Sequence, residues 1–109
     1  MVKIIITESL KKEIHKKFKS ETNKIFALIY TLKETPKKGK FLSLIGDIVL
    51  KEIKYKKFRF YFITDNHKIK FLKVEELQDL VIKFIRMSDK KSQDKVIEEI
   101  KDILKLKKE

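Results

Sequence analysis

Arg59 and Tyr61 stand two residues apart in the aromatic run Phe58-Arg59-Phe60-Tyr61-Phe62, so in an extended chain their side chains leave the same face. An arginine offers a planar fork for phosphate oxygens, and a tyrosine can stack on a nucleobase or donate a proton. A second group, Lys90-Lys91-Ser92-Gln93, gathers two ammonium groups, a hydroxyl and an amide where a last helix would begin, with Arg86 just upstream. Free amides at a helix start suit phosphate. Such residues could cleave RNA without a metal. A base would free the 2′-hydroxyl, a cation would stabilise the phosphorane, and an acid would protonate the leaving 5′-oxygen. Both groups also have an architectural reading. Arg59 can pair with Glu52 across a hairpin while Tyr61 packs under the last helix, and the lysine pair can be solvated beside a helix cap.

Other chemistries lack residues. The 109-residue chain has no cysteine, which excludes disulfides, thiolate metal sites and thiol nucleophiles. There is no phosphate-binding glycine loop, no serine nucleophile elbow and no zinc spacing. His15 lies on the polar flank of the first helix, and His67 occupies a turn; neither has metal-ligand company, although the turn gives His67 the better claim to a role beside the basic face. Glu75-Glu76 and Glu98-Glu99 read as a helix-start charge and a solvated helix face. A formal net charge of +12 makes polyphosphate the leading partner class. With 42% hydrophobic residues the chain can still build a core despite 40% charged ones. The longest apolar runs, 25–30 and 58–63, are too short to cross a bilayer, and no secretory leader is visible, so no membrane partner and a cytoplasmic location are expected.

The elements that must position these groups follow from periodicity. Residues 2–6 are a β-branched strand ended by Thr7; Leu10, Ile14 and Phe18 then recur every four residues as a helix. Ile25, Leu28, Ile29 and Leu32 mark a second helix that stops near Pro36, which implies an αα-hairpin, followed by the basic loop Lys37-Lys38-Gly39-Lys40. From Ile48 the period becomes two. Residues 48–54, 57–64 and 68–72 read as strands of a meander, with Tyr55-Lys56 and Asp65-Asn66 at the turns. Those turns pair Ile53 with Phe58, Val49 with Phe62, Glu52 with Arg59, Phe62 with Ile69 and Phe60 with Phe71. Val49, Ile53, Phe58, Phe60, Phe62, Ile69 and Phe71 then face the helices, with Lys51 a misfit among them. The reverse face carries Glu52, Lys54, Arg59, Tyr61, Lys68 and Lys70 together with Ile48, Leu50, Ile63 and Leu72. Residues 75–80 suit a helical turn, and the next segment fits either a strand over 81–87 or a helix over 74–85. Val96, Ile97, Ile100, Ile103 and Leu104 form a last helical stripe.

This order of elements, carrying Ile48-Val49-Leu50-Lys51-Glu52-Ile53, the Phe58 to Phe62 run, Ile69-Lys70-Phe71-Leu72 and Lys90-Lys91-Ser92-Gln93, resembles the HigB-like branch of the RelE/ParE toxin superfamily over nearly the whole chain. In that branch a leucine-x-glutamate-leucine-arginine strand precedes an arginine-bearing aromatic strand, and a lysine-lysine-threonine-glutamine stretch opens the last helix. The resemblance implies one RelE-like α+β domain over residues 1–109, with an antiparallel twisted sheet, an amino-terminal αα-hairpin on one face and a carboxy-terminal helix. It also implies a ribosome-dependent endoribonuclease that cuts messenger RNA without metal or cofactor and is held inactive by a cognate antitoxin protein.

Carried over by position, Lys54, Arg59, Lys90 and Lys91 are the expected catalytic residues. Tyr61, Lys68, Lys70, Arg86 and Gln93 are expected to contact RNA. The family's tyrosine stands three residues after the strand arginine, where this chain has Phe62, and the 73–86 connection is longer than usual. A non-catalytic module of the same fold, a ParE-like inhibitor of DNA gyrase or a nucleic-acid binder, is the alternative, since one fold hosts several activities. On a solvent-facing sheet surface Arg59→Ala is expected to abolish growth arrest and leave the fold intact.

Overall fold

Thr7 starts the first helix. Its hydroxyl accepts the amide of Leu10 at 3.3 Å, and Glu8 lies in the first turn of α1, Glu8–Phe18, where a helix dipole favours an anion. The stripe Leu10, Ile14 and Phe18 is buried, as its spacing predicts. A 3₁₀ turn over Lys19–Glu21 leads into α2, Thr22–Tyr30, which buries Ile25 and Ile29. A second 3₁₀ turn, Thr31–Lys33, adds buried Leu32. The computed structural model describes residues 2–107; residues 1, 108 and 109 lie outside them.

Five strands form one sheet in the order β1-β5-β4-β3-β2: β1 is Lys3–Ile6, β2 Lys40–Ile45, β3 Ile48–Tyr55, β4 Phe58–Asp65 and β5 Val81–Asp89. Strands β2 to β5 run antiparallel in sequence, but β1 pairs parallel with β5, Lys3 opposite Val81. The sheet is therefore mixed rather than antiparallel. The helix pair carries the chain across one face, and the first and last strands, far apart in sequence, close one edge. Residues 81–89 thus take the strand alternative. The last helix, α4, spans Gln93–Lys107. No helix among the described residues is long and apolar enough to cross a membrane.

Two expectations about the hairpins fail for local reasons. Residues 68–72 are not a strand: Asp65 accepts the amide of Lys68 at 3.0 Å and caps a short helix, α3, Asn66–Phe71. Ile69 still packs on the core, whereas Phe71 is 63% exposed. The β3–β4 turn falls at Lys56-Lys57, with Lys56 at φ +54°, so Ile53 pairs with Phe60 and Lys54 with Arg59. This register is two residues from the expected one. A shift of two preserves which side each side chain faces, so the assignment of faces survives. The additional strand β2 was not anticipated; it is an edge strand whose Phe41 and Leu44 remain exposed.

Both faces of the sheet are covered. On one, α1 and α2 pack against Ile53, Phe60, Phe62, Ile82 and Phe84. Phe62 and Phe84 are fully buried with ring centroids 4.7 Å apart, each contributing about 1.5–3 kcal/mol of apolar burial. On the other, Val96, Ile100 and Leu104 of α4 close over Leu50 and Tyr61, with Ile48 and Ile63 at the margin. The chain is an α+β protein with a five-stranded mixed sheet, an amino-terminal helix region and a carboxy-terminal helix.

Candidate nucleic-acid interface

The observed register puts Lys54 directly opposite Arg59, and β5 brings Asp89 opposite Phe58 on the other side of β4. Lys90 and Lys91 follow at once. Strand pairing thus carries residues from three segments to one end of the sheet, where Lys54, Lys56, Lys57, Arg59, Asp89, Lys90 and Lys91 line a cavity of about 460 Å³. All five lysines are exposed. Among the described residues, Lys54, Lys57, Lys90 and Lys91 have no carboxylate partner; Lys56 is held by Glu21 at 2.6 Å. Asp89, the one acid of the cavity, is occupied in shaping the turn into α4. Its Oδ1 accepts from the amide and hydroxyl of Ser92 at 2.9 and 2.8 Å, and these bonds hold its carboxyl below the usual range. The net field in the cavity is positive, as phosphate requires.

Arg59 is the wall between this cavity and a smaller one of about 330 Å³ lined by Leu28, Lys38, Gly39, Lys40, Glu52, Ile53, Lys54, Arg59 and Gln93. Its side chain is only 10% exposed, and its Nε lies 3.5 Å from Oε2 of Glu52, itself 2% exposed. The expected solvent-facing arginine is therefore a buried one, because α4 covers the face that period two alone leaves open. Gln93 donates to the other oxygen of Glu52 at 3.3 Å. No protein-family model, curated protein or solved structure matches the chain. The geometry of the site therefore carries its interpretation.

Tyr61 corrects the expectation of a base-stacking side chain. It is fully buried beneath α4, its hydroxyl 2.6 Å from Oγ of Ser88, and burial pushes its phenol up. The architectural reading of the Arg59–Tyr61 pair is the one the fold adopts. Arg86, opposite Tyr61 in register, pairs with Glu99 at 3.2 Å and lines a separate, mostly apolar cavity with Ile63, Ile85 and Ile100. Lys68 and Lys70 lie on α3 beyond the far end of β4. Six residues of strand separate Arg59 from that end, roughly 20 Å. None of these four joins the cluster that gathers Lys54, Arg59, Lys90, Lys91 and Gln93. His67 lies against Phe71, and His15 meets Phe26 edge-on, so both pack as ordinary rings.

Periodicity alone leaves Lys38, Lys40, Lys56 and Lys57 out of the site. The 37–40 run is legible as basic, but its place depends on two devices. Gly39 adopts φ +115°, and a Cβ there would lie 2.7 Å from Cζ of Phe62, so glycine lets the loop approach the core. Lys51, the misfit of the core face, extends its Nζ to the carbonyl of Lys37 at 2.7 Å. Burial pulls its ammonium down from the ordinary value.

Proposed function

We propose that this protein binds RNA through the lysine-ringed cleft beside Arg59, and does so as a RelE/HigB-like toxin that cleaves messenger RNA on the ribosome. The observation that carries the reading is the convergence of Lys54, Arg59, Lys90 and Lys91, distant in sequence, on one positive cavity. The first strand, the two helices, the β3–β4 hairpin and the last helix, in that order, support the family resemblance, while the short helix α3 stands where the resemblance has an apolar strand. In this reading the exposed lysines take the phosphates flanking the scissile bond and offset the charge that develops on the phosphorane. A cognate antitoxin would silence the protein by covering or neutralising the cleft. Mapping RNA ends after brief induction, with ribosomes present and absent, tests it: ribosome-dependent cuts are expected from the wild type and not from Lys90→Ala/Lys91→Ala. Intact transcripts from a growth-arresting wild type would remove the ribonuclease.

A second reading has its own support. Tyr61 lies outside the cleft and Glu52 engages Arg59, an arrangement that suits a non-catalytic member of the same fold, a nucleic-acid binder or a ParE-like gyrase inhibitor. Gyrase as target predicts that supercoiling fails before translation does.

A further inference from the structure

The larger cavity gathers more positive charge than the interior of an RNA strand can match. Six cations and one carboxylate line it. Two of the cations are already engaged: Lys56 by Glu21 at 2.6 Å, and Arg59 by Glu52 at 3.5 Å, with a long bond from the Arg59 Nη1 to the Lys57 carbonyl at 3.4 Å. Lys54, Lys57, Lys90 and Lys91 have no carboxylate partner among the described residues. Against these four stands Asp89 alone, which leaves an excess of three positive charges. Even that carboxylate is turned to the amide and hydroxyl of Ser92, and it feels the charge of Lys17, whose ammonium lies 4.8 Å from the ring centroid of Phe58, the register partner of Asp89.

Like charges held close together repel, and an anion of similar charge relieves the repulsion. A phosphodiester carries a single charge, and the next one along the strand stands a whole ribose away. A strand passing through would leave lysines unmatched. A triphosphate monoester instead concentrates about four charges on phosphates that share bridging oxygens, its terminal group being nearly doubly ionised at neutral pH. The cavity volume of about 460 Å³ is that of a small-ligand site. Each of the four lysines is exposed on a flexible stem, so their ammonium groups can close on a compact anion while the sheet stays in place.

We propose, on the footing of the RNA reading above, that this cavity is a triphosphate site, occupied by a nucleoside triphosphate or by the 5′-triphosphate end of an RNA in place of the internal phosphates of a strand. Lys54, Lys57, Lys90 and Lys91 are its ligands. A bound triphosphate thereby excludes the strand interior from the cleft and regulates the protein by competition. An RNA seated by its 5′ end has a basic path onward, across Arg59 to Lys38 and Lys40 in the smaller cavity.

Two measurements on the wild type test this and distinguish the sources. In the first, inorganic triphosphate and ATP are titrated calorimetrically against sulfate at equal ionic strength; each should bind at least about tenfold tighter than sulfate, the worth of one charge-assisted hydrogen bond. In the second, fluorescence anisotropy compares a 5′-triphosphorylated uridine heptamer with a 5′-hydroxyl uridine undecamer, which carries about the same charge spread along its length. The heptamer should bind at least about tenfold tighter. An advantage for ATP alone assigns the site to free nucleotides, and one for the heptamer alone assigns it to transcript ends. Lys90→Ala/Lys91→Ala, checked for its fold by circular dichroism, should lose whichever advantage the wild type shows; an advantage kept in full by the folded variant would place the anion elsewhere and overturn the site. Absence of both advantages in the wild type overturns it without any variant. Binding of the undecamer decides the RNA reading separately.

Discussion

Arg59 Nε sits 3.5 Å from Glu52 Oε2, diagonally across the β3–β4 hairpin, with the two side chains 10% and 2% exposed. Alternation alone puts this pair on an open sheet surface, where an ion pair is worth little. Under α4 it becomes a desolvated pair. Arg59→Ala should therefore destabilise the fold by about 3–5 kcal/mol, because it strands a buried carboxylate. Urea unfolding measures this, and a loss under about 1 kcal/mol would mean the pair is solvated. Replacing both partners, as Glu52→Gln/Arg59→Met, should recover much of the loss. Growth arrest lost through Arg59→Ala alone would then report unfolding as well as chemistry.

Tyr61→Phe separates burial from recognition. The variant deletes a buried 2.6 Å bond to Ser88 and leaves that hydroxyl unpaired, which should cost about 1–2 kcal/mol. RNA affinity should not change. Weaker RNA binding at unaltered stability would show that the ring is reached by nucleic acid after all.

Gly39→Ala combines a strained backbone with a collision. At φ +115° and with a Cβ 2.7 Å from the Phe62 ring, the substitution should lower stability by about 1–3 kcal/mol. Phe62→Leu in the same chain should relieve the collision but not the backbone strain, so a double-mutant cycle should give a coupling other than zero.

The lysine pair can be counted by salt. If Lys90 and Lys91 each neutralise one phosphate of a single strand, Lys90→Ala/Lys91→Ala should flatten the slope of log affinity against log salt by about 1.4. The same double change at Lys68 and Lys70, on α3, should leave the slope unaltered. Equal effects from the two pairs would mean diffuse attraction instead of a cleft.

Lys51 gives a pH signature. Burial lowers its folded value below the ordinary 10.5, so the unfolded chain binds its proton more tightly and stability rises with pH between the two values. Wild type should gain stability relative to Lys51→Met as the pH rises toward 10.5, and the gain should level off above it. Comparing the change with pH cancels the constant loss of the bond to the Lys37 carbonyl. Parallel profiles would place the ammonium in water.

Periodicity of four located α1, α2 and α4, and periodicity of two located β3 and β4, because each stripe reports which residues leave water on a single element. Alternation also assigned the residues of β3 and β4 to sheet faces correctly despite a register two residues off, since only an odd shift exchanges faces, whereas the faces it gave to 68–72 fell with that strand. The parallel closure of β1 on β5 was beyond that signal: it is a contact between distant strands. The choice of helix for 66–71 followed from Asp65, whose side chain caps Lys68 where a turn residue was expected.

What covers the second sheet face was decided only by the assembled fold. Ile48, Leu50 and Ile63 were legible on the face that also bears Arg59, and the stripe Val96, Ile100 and Leu104 was legible on the last helix. Each set marks a surface that must leave water, but neither names its partner, because the hydrophobic effect has no direction. Their docking buried Tyr61 and turned Arg59 toward Glu52, while the lysines at the rim, whose charges cannot leave water, remained to define the cleft. The residue types of the site could be read from the chain, and which of them meet could be read only from the packing.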